Sequence, residues 1–269
     1  MRKTLVIAVA ALALVSGCGT GEETTAESAP SATPSTAPSS PVTTEPATPA
    51  PTTSTSASPA PTAPEPTASP TPRKLRSGSK GDDVLALQTR LTELGYWNGK
   101  ADGVFGDSTE QAVLALQKAA GLSRDGVAGP KTRKALTSGV RPKARSSKGT
   151  VVEISLKKQV LMLVEDGEVT KIFNTSTGSG EYYESEGSTH LASTPAGKFT
   201  VGREIDGWRH APLGLLWRPK YFNGGIAVHG AYSVPGYPAS HGCARVSIAA
   251  MNWIWSHDAI PLKTKVWVY

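Results

Sequence analysis

The sequence predicts a multidomain protein in which a small three-helix unit precedes a mainly-β domain. Three observations predict it. Apolar residues recur at helical spacing between Val84 and Ala119. Short runs rich in Val, Ile and Leu, separated by turn residues, begin at Val151. A stretch of Pro, Thr, Ser and Ala sets both apart from the N-terminus. The expected order is a leader over 1–17, a linker over 18–72, the helical unit over 73–138, a basic link over 139–149 and the β domain over 150–269.

Arg2 and Lys3 precede an apolar run from Leu5 to Val15. That run is shorter than the roughly 20 residues a membrane-spanning helix needs, and it fits an exported signal peptide. Its end, Val15-Ser16-Gly17-Cys18, resembles the lipobox of bacterial lipoproteins. The resemblance implies cleavage before Cys18, acylation of that residue and a lipid anchor in the membrane; ordinary signal cleavage nearby would leave a soluble secreted protein. With Cys18 acylated, Cys243 has no disulfide partner. A lone thiol in an exported protein is either an intermolecular pairing site or a reactive group.

The linker holds 13 of the 21 prolines and, apart from Val42, no large apolar side chain. Such a segment cannot offset the entropy of ordering, so disorder is expected. At about 3.1 Å per residue, some 50 residues of extended Pro-rich chain reach about 150 Å, enough for a stalk from membrane to wall. From Arg73 onward, 26 Lys and Arg stand against 17 Asp and Glu. That balance favours anionic surroundings such as peptidoglycan, teichoic acids or lipid headgroups. Nucleic acid is not expected as a partner outside the cell.

In the helical unit, Val84, Leu87, Leu91 and Leu94 share one face and Gly95 ends the run. Asp107-Ser108-Thr109-Glu110 reads as a capping box for a second helix whose buried face is Ala112, Val113, Leu116 and Ala119. The phrase Asp102-Gly103-Val104 returns as Asp125-Gly126-Val127, and Pro130 then opens a third helix through Leu136. The stretch GDDVLALQTRLTELGYWNGKADGVFGDSTEQAVLALQ resembles the peptidoglycan-binding domain carried by wall hydrolases. Units of that kind serve either to bind wall polymer or as spacers. Tyr96 and Trp97 are the residues expected to be exposed and available to glycan or peptide.

In the β domain, Val151 to Leu156 and Gln159 to Val164 read as strands, with Asp166-Gly167 as the hairpin turn to Val169–Phe173. Lys198 to Arg203, Gly225 to His229 and Thr264 to Val268 are further strands, and Ser247 suits the N-cap of a helix through Trp255. The segment that carries chemistry is Gly224-Gly225-Ile226-Ala227-Val228-His229-Gly230 followed by Ser240-His241-Gly242-Cys243-Ala244-Arg245. Thiol catalysis needs an ionised sulfur, a base close by and donors aimed at a developing oxyanion. Glycines around Cys243 leave backbone amides unobstructed, and His229 ends an apolar strand. Read from the residues alone, Cys243 is a candidate nucleophile with His229 and His241 both candidates for its base.

The same segment resembles the signature of the L,D-transpeptidase catalytic domain, the YkuD-type fold, and Ser193-Thr194-Pro195-Ala196-Gly197-Lys198-Phe199 is similar to a second element of that family. The likeness covers about Thr150 to Tyr269. It implies a β-sandwich-like domain with Cys243 as acylated nucleophile and His229 as general base, its ring oriented by a backbone carbonyl such as that of Gly230. Ser240, His241, Gly242 and Gly230 would shape the site, with the amides of Gly242 and Cys243 facing the oxyanion. Gly224 and Gly225 would admit substrate backbone, and Arg245 and Tyr221 would flank it; for Arg245 a purely structural role in the Cys turn is the competing expectation, and for Tyr221 and Trp217 core packing.

The implied reaction is acyl transfer between two peptidoglycan stem peptides, a donor and an acceptor, linking their third residues. Water as acceptor would make it an L,D-carboxypeptidase; a fold without catalysis would leave a wall-binding lipoprotein. The resemblance also implies acylation by carbapenems, a monomer, and no cofactor. The histidines lack a zinc spacing, so no metal is expected. His190 and His257 read as surface or helix-end residues, His210 as an exposed loop residue, Trp253 and Trp255 as packing, and Glu181, Glu184 and Glu186 as solvated loop charges. The short loop Ala231–Ala239 suggests an open acceptor side.

Overall fold

The computed structural model describes residues 73–269; the expected leader, the linker and Cys18 lie outside the described residues. Three helices come first: α1 (Asp82–Glu93), α2 (Asp107–Ala120) and α3 (Pro130–Thr137). Each ends in a glycine at positive φ, namely Gly95, Gly121 and Gly139. At the first, the Gly95 N–H donates to Thr92 O and the Tyr96 N–H to Leu91 O, both at 2.9 Å, which satisfies carbonyls the helix leaves open. The expected capping box does not form. Gly106 is the N-cap of α2 and no side chain caps it, so Asp107 and Glu110 fall inside the first turn. There they face the positive end of the helix dipole.

The repeated Asp-Gly-Val phrase has a physical cause, a buried glutamine on the preceding helix. Gln88 Nε2 donates to Asp102 Oδ1, Val104 O and Thr109 Oγ1, while its Oε1 accepts from the Asp102 and Gly103 amides. Gln117 does the same one turn later, with Asp125 Oδ1, Val127 O, Thr132 Oγ1 and the Gly126 amide. Each glutamine fastens one turn and the start of the next helix.

The β domain contains β1 (Thr150–Ser155), β2 (Val160–Glu165), β3 (Glu168–Asn174), β4 (Tyr182–Ser185), β5 (Ser188–Leu191) and β6 (Gly197–Thr200). It continues through β7 (Arg203–Glu204), β8 (Trp208–Ala211), β9 (Gly214–Asn223), β10 (Ile226–Ala231), β11 (Ala244–Ser247), α4 (Ile248–Ser256) and β12 (Lys265–Val268). One sheet runs β3-β2-β1-β12-β6 and the other β11-β10-β9-β7, with β8 on β9. Between them lies a core of Val152, Ile154, Leu161, Phe173, Val228, Val246 and their neighbours, closed by Met251 and Ile254 of α4. Ser247 caps α4 as expected, accepting from the Ala250 amide at 3.2 Å. Asp166 and Gly167 both have positive φ, the conformation of a tight hairpin turn.

The first sheet is covered on both faces. Leu161, Leu163 and Phe173 point into the sandwich, whereas Val160, Met162, Val164, Val169 and Ile172 pack against the helices. Double burial explains why β2 reads as a continuous apolar run without alternation. Tyr96 belongs to this shared core: it is 1% exposed and its hydroxyl donates to Val140 O at 2.8 Å. Trp97 is partly buried and stacks on Phe173 at 6.0 Å between centroids. The expectation that these two rings face wall polymer is therefore corrected; packing against the sheet takes both.

The basic link is equally fixed. Glu153 is fully buried and accepts from the Arg145 and Ser146 amides, from Ser146 Oγ and from the Tyr269 hydroxyl. Arg145 lies over the Tyr269 ring at 3.6 Å, and Arg141 donates to Val169 O. No described helix is long and apolar enough to cross a membrane.

Candidate active site

β10 and β11 run parallel in the register Val228 with Ala244, His229 with Arg245 and Gly230 with Val246. Alternation along these strands sends Val228, Ala244 and Val246 into the sandwich core. The same alternation puts Ala227, His229, Cys243 and Arg245 on the opposite face. That face is the floor of a cleft of about 840 Å³ lined by His229, Cys243 and Arg245. β10 is irregular against β9 between Val228 and Gly230, which places His229 at a bulge. Bulges re-aim the side chains beside them.

His229 is 4% exposed, and its Nδ1 lies 2.9 Å from Gly230 O, the carbonyl expected to orient the ring. A neutral imidazole that donates from Nδ1 keeps the lone pair on Nε2. Burial lowers its pKa to about 4; the Gly230 bond opposes that shift and the Arg245 charge adds to it. Burial raises the Cys243 thiol above the usual thiol range, against the smaller opposing effects of the Ala227 amide and Arg245. The Ala227 N–H lies 3.4 Å from Sγ, and Sγ lies 3.8 Å from Gly225 O. Burial thus favours the neutral form of both groups. Desolvation penalises a charge on this buried sulfur.

The turn before Cys243 is pinned by hydroxyls. Ser240 Oγ donates to Cys243 O at 2.6 Å and accepts from the Gly242 amide at 3.0 Å. Of the two amides expected to face an oxyanion, that of Gly242 is thus engaged within the turn. Thr194 Oγ1 donates to Gly242 O at 2.6 Å and accepts from the Gly178 amide at 2.9 Å. A Cβ on Gly242 would stand 2.9 Å from Ser193 O, at a φ of +151, so the position requires glycine. Thr194 lies within the second motif, 48 residues from the carbonyl it holds, a pairing that no local pattern signals.

The remaining expected residues separate. Gly225 lines the cleft; Gly224, at a φ of +53, forms the turn between β9 and β10 and is not part of the lining. Gly230 accommodates its neighbours, since a Cβ there would lie 2.9 Å from Trp217 Cδ1. Tyr221 is buried with Leu216, Ala227 and Cys243 and still lines the cleft, and the Arg203 guanidinium covers its ring at 3.7 Å. His241 is exposed and meets the Tyr183 ring edge-on at 4.6 Å. Trp217 donates to Asn252 Oδ1 and meets the Trp208 ring at a tilt, away from the cleft lining.

Two hairpins the sequence reading left unassigned form the walls. The β4–β5 hairpin brings Tyr183, His190 and Leu191, and converts Glu184 and Glu186 from loop to hairpin residues. The β8–β9 hairpin brings Leu213, Leu215 and Leu216 and carries His210 on an exposed strand. Arg203, Arg209 and Arg245 stand in the lining against the single carboxylate of Glu186. Among the described residues, no group of three His, Cys, Asp or Glu side chains is placed to hold a metal ion.

Residues 149–268 match the L,D-transpeptidase catalytic domain (YkuD) and residues 80–136 a peptidoglycan binding domain. The crystal structure of the L,D-transpeptidase from Xylanimonas cellulosilytica DSM 15894 is 56% identical, with a TM-score of 0.72 over 75% of this chain and 100% of that one. A spore cortex-lytic enzyme of Bacillus cereus is 42% identical over 77 residues, 28% of this chain and 30% of that enzyme. The N-acetylmuramoyl-L-alanine amidase CwlL of Bacillus licheniformis is 47% identical over 78 residues, 28% of this chain and 22% of that enzyme. The chain thus spans less than a third of the length of these two curated relatives. On the strength of the match to the whole of the solved Xylanimonas fragment and of the cleft built around its own Cys243 and His229, the chain belongs to the L,D-transpeptidase family, with a YkuD catalytic domain behind a peptidoglycan-binding domain.

Proposed function

We propose that the protein is a peptidoglycan L,D-transpeptidase that links the third residues of neighbouring stem peptides through a Cys243 thioester. The observation that carries this reading is the placement of Cys243 and His229 on one face of β10 and β11, at the floor of an open cleft. A donor tetrapeptide lies across that floor with the carbonyl of its third residue at Sγ. The sulfur attacks as its proton passes to Nε2 of His229, whose Nδ1–H stays on Gly230 O. The Cys243 amide faces the oxyanion of the tetrahedral intermediate. Collapse breaks the peptide bond, the departing D-alanine amine takes the proton from His229, and a thioester remains. The side-chain amine of an acceptor stem then attacks the thioester, loses a proton to His229, and releases the thiol. Arg203, Arg209 and Arg245 supply the cleft with positive charge for substrate carboxylates.

The openness of the same cleft favours one second reading, hydrolysis of the thioester as in an L,D-carboxypeptidase. Incubation of the purified protein with a disaccharide tetrapeptide separates the two by mass spectrometry. A cross-linked dimer with loss of D-alanine is the expected product; tripeptide alone makes the protein a carboxypeptidase, and unchanged substrate leaves a wall-binding scaffold. Acylation of Cys18 and a stalk over the linker complete the proposal, placing a monomeric enzyme outside the cell on a lipid anchor. Cys18→Ser is expected to move the protein from the membrane to the medium; retention in the membrane would rule the anchor out.

A further inference from the structure

Lys118 lies in the last turn of α2, a helix of the peptidoglycan-binding domain, yet its ammonium is buried against the catalytic domain and is 2% exposed. Its Nζ donates to Gln159 O at 3.1 Å, to Thr175 O at 2.8 Å and to Asn174 Oδ1. Three N–H groups meet three neutral oxygens. Burial and the Arg124 charge draw its pKa down to about 7. The acceptors oppose that shift, because a neutral amine would turn a lone pair toward one of them.

What Lys118 holds is the strut beneath the nucleophile. Asn174 ends β3, and the chain from Asn174 to Ser179 runs along the loop that leads to Cys243. Asn174 Nδ2 donates to Val234 O at 2.9 Å and to Gln111 Oε1 at 2.6 Å. Thr175 Oγ1 donates to Arg245 O at 2.7 Å, and the Ser176 and Arg245 amides exchange hydrogen bonds with each other's carbonyls. Ser176 Oγ donates to Tyr237 O at 2.8 Å. Thr177 O accepts the amides of Ala239 and Ser240 at 3.0 Å, and Ser240 Oγ holds Cys243 O. From Lys118 to the nucleophile turn every link is a direct hydrogen bond or a step of one or two residues along the chain.

The same helical domain reaches the loop by two further contacts, Gln111 Nε2 to Val234 O at 3.3 Å and Arg124 to Gly236 O at 2.9 Å. A Cβ on Gly236 would stand 2.8 Å from the Arg124 Cβ, so loop and helical domain are closely fitted.

We infer that Lys118 is a positioning residue for acyl transfer: through Asn174 and Thr175 it makes the peptidoglycan-binding domain part of the support that sets the Cys243 turn. The helical domain then acts on the reaction as well as on wall attachment. This inference rests on Cys243 being the nucleophile, so its test includes a readout that needs no natural substrate.

The test compares the full chain with Lys118→Met and with the milder Gln111→Ala, measuring donor kcat and KM and, separately, the rate at which iodoacetamide alkylates Cys243 across pH. A displaced turn of this kind costs roughly tenfold to a hundredfold in rate. The expected result for Lys118→Met is a fall of that order in kcat with KM within about twofold of the parent. The pH profile of alkylation should shift with it. Gln111→Ala should show the same pattern at smaller size, and it decides the matter where Lys118→Met does not fold. Folded variants whose kcat and alkylation profile match the parent overturn the inference, leaving Lys118 an interdomain fastening only. If the parent turns over no tetrapeptide, the transpeptidase reading fails, and the alkylation profile alone still decides the role of Lys118.

Discussion

The two faces of the catalytic domain are built in opposite ways. On the side turned to the helices, the apolar residues of β2 and β3 are covered, and the buried Lys118 and Glu153 are each held by several partners. On the side that opens at Cys243, Leu213, Leu215, Tyr232 and Leu191 stand 41%, 46%, 82% and 48% exposed on hairpins and a loop. The Tyr232 ring stacks on that of Trp208 at 5.3 Å. The difference teaches where rigidity is needed. The turn that carries Cys243 is held by several hydrogen bonds, whereas the walls of the cleft end in exposed apolar tips.

The largest expected effect separates chemistry from scaffold. Cys243→Ala should lose all covalent adduct with a carbapenem, as read by intact-mass measurement, while its thermal midpoint stays near the parent value. An adduct that survives the substitution places the nucleophile elsewhere. Next is the packed face. Phe173 is 2% exposed between Trp97 and Trp253, and Phe173→Ala should cost about 3–5 kcal/mol in denaturant unfolding. A loss under about 1 kcal/mol would mean that this face is looser than its contacts imply.

Acid provides a third probe, with a defined direction. The His229 pKa is lowered to about 4 in the folded state from 6.5, so the unfolded chain binds the proton more readily between those values. The associated stability is fully present above pH 6.5 and is lost as pH falls through that window, a total of roughly 3 kcal/mol. His229→Gln should remove that part of the pH dependence, and an unchanged slope between pH 6.5 and 4 would contradict the assignment. The smallest effect belongs to the open side. Leu215→Ser should leave stability within about 0.5 kcal/mol while raising KM for the donor. A marked fall in stability would show that the hairpin tip is part of the core.

Much of this was readable from local chemistry. Helical spacing with a glycine at each end marks α1 and α2, Asp166-Gly167 marks its hairpin, and Ser247 marks α4, because each depends on residues a few positions apart. The β4–β5 hairpin had its own signal in Glu186-Gly187, both at positive φ, flanked by Tyr-Tyr and Thr-His runs. Glu181, Glu184 and Glu186 mask that signal, because charges at this density read as loop. The capping box failed for a related reason: Asp107 satisfies the pattern, but Gly106 starts the helix one residue earlier.

The sequence by itself determined the helices, the strands that flank the motif, and Cys243 as the candidate thiol, since these follow from residue type and short spacing. Only the tertiary structure decided that Tyr96 and Trp97 turn inward, that burial disfavours charge on the thiol, that Gly242 has its amide engaged, and that Lys118 reaches from one domain under the turn of the other. Each of those depends on burial and on partners tens of residues away, and such pairings arise only when the two faces of a sheet are assigned to different neighbours.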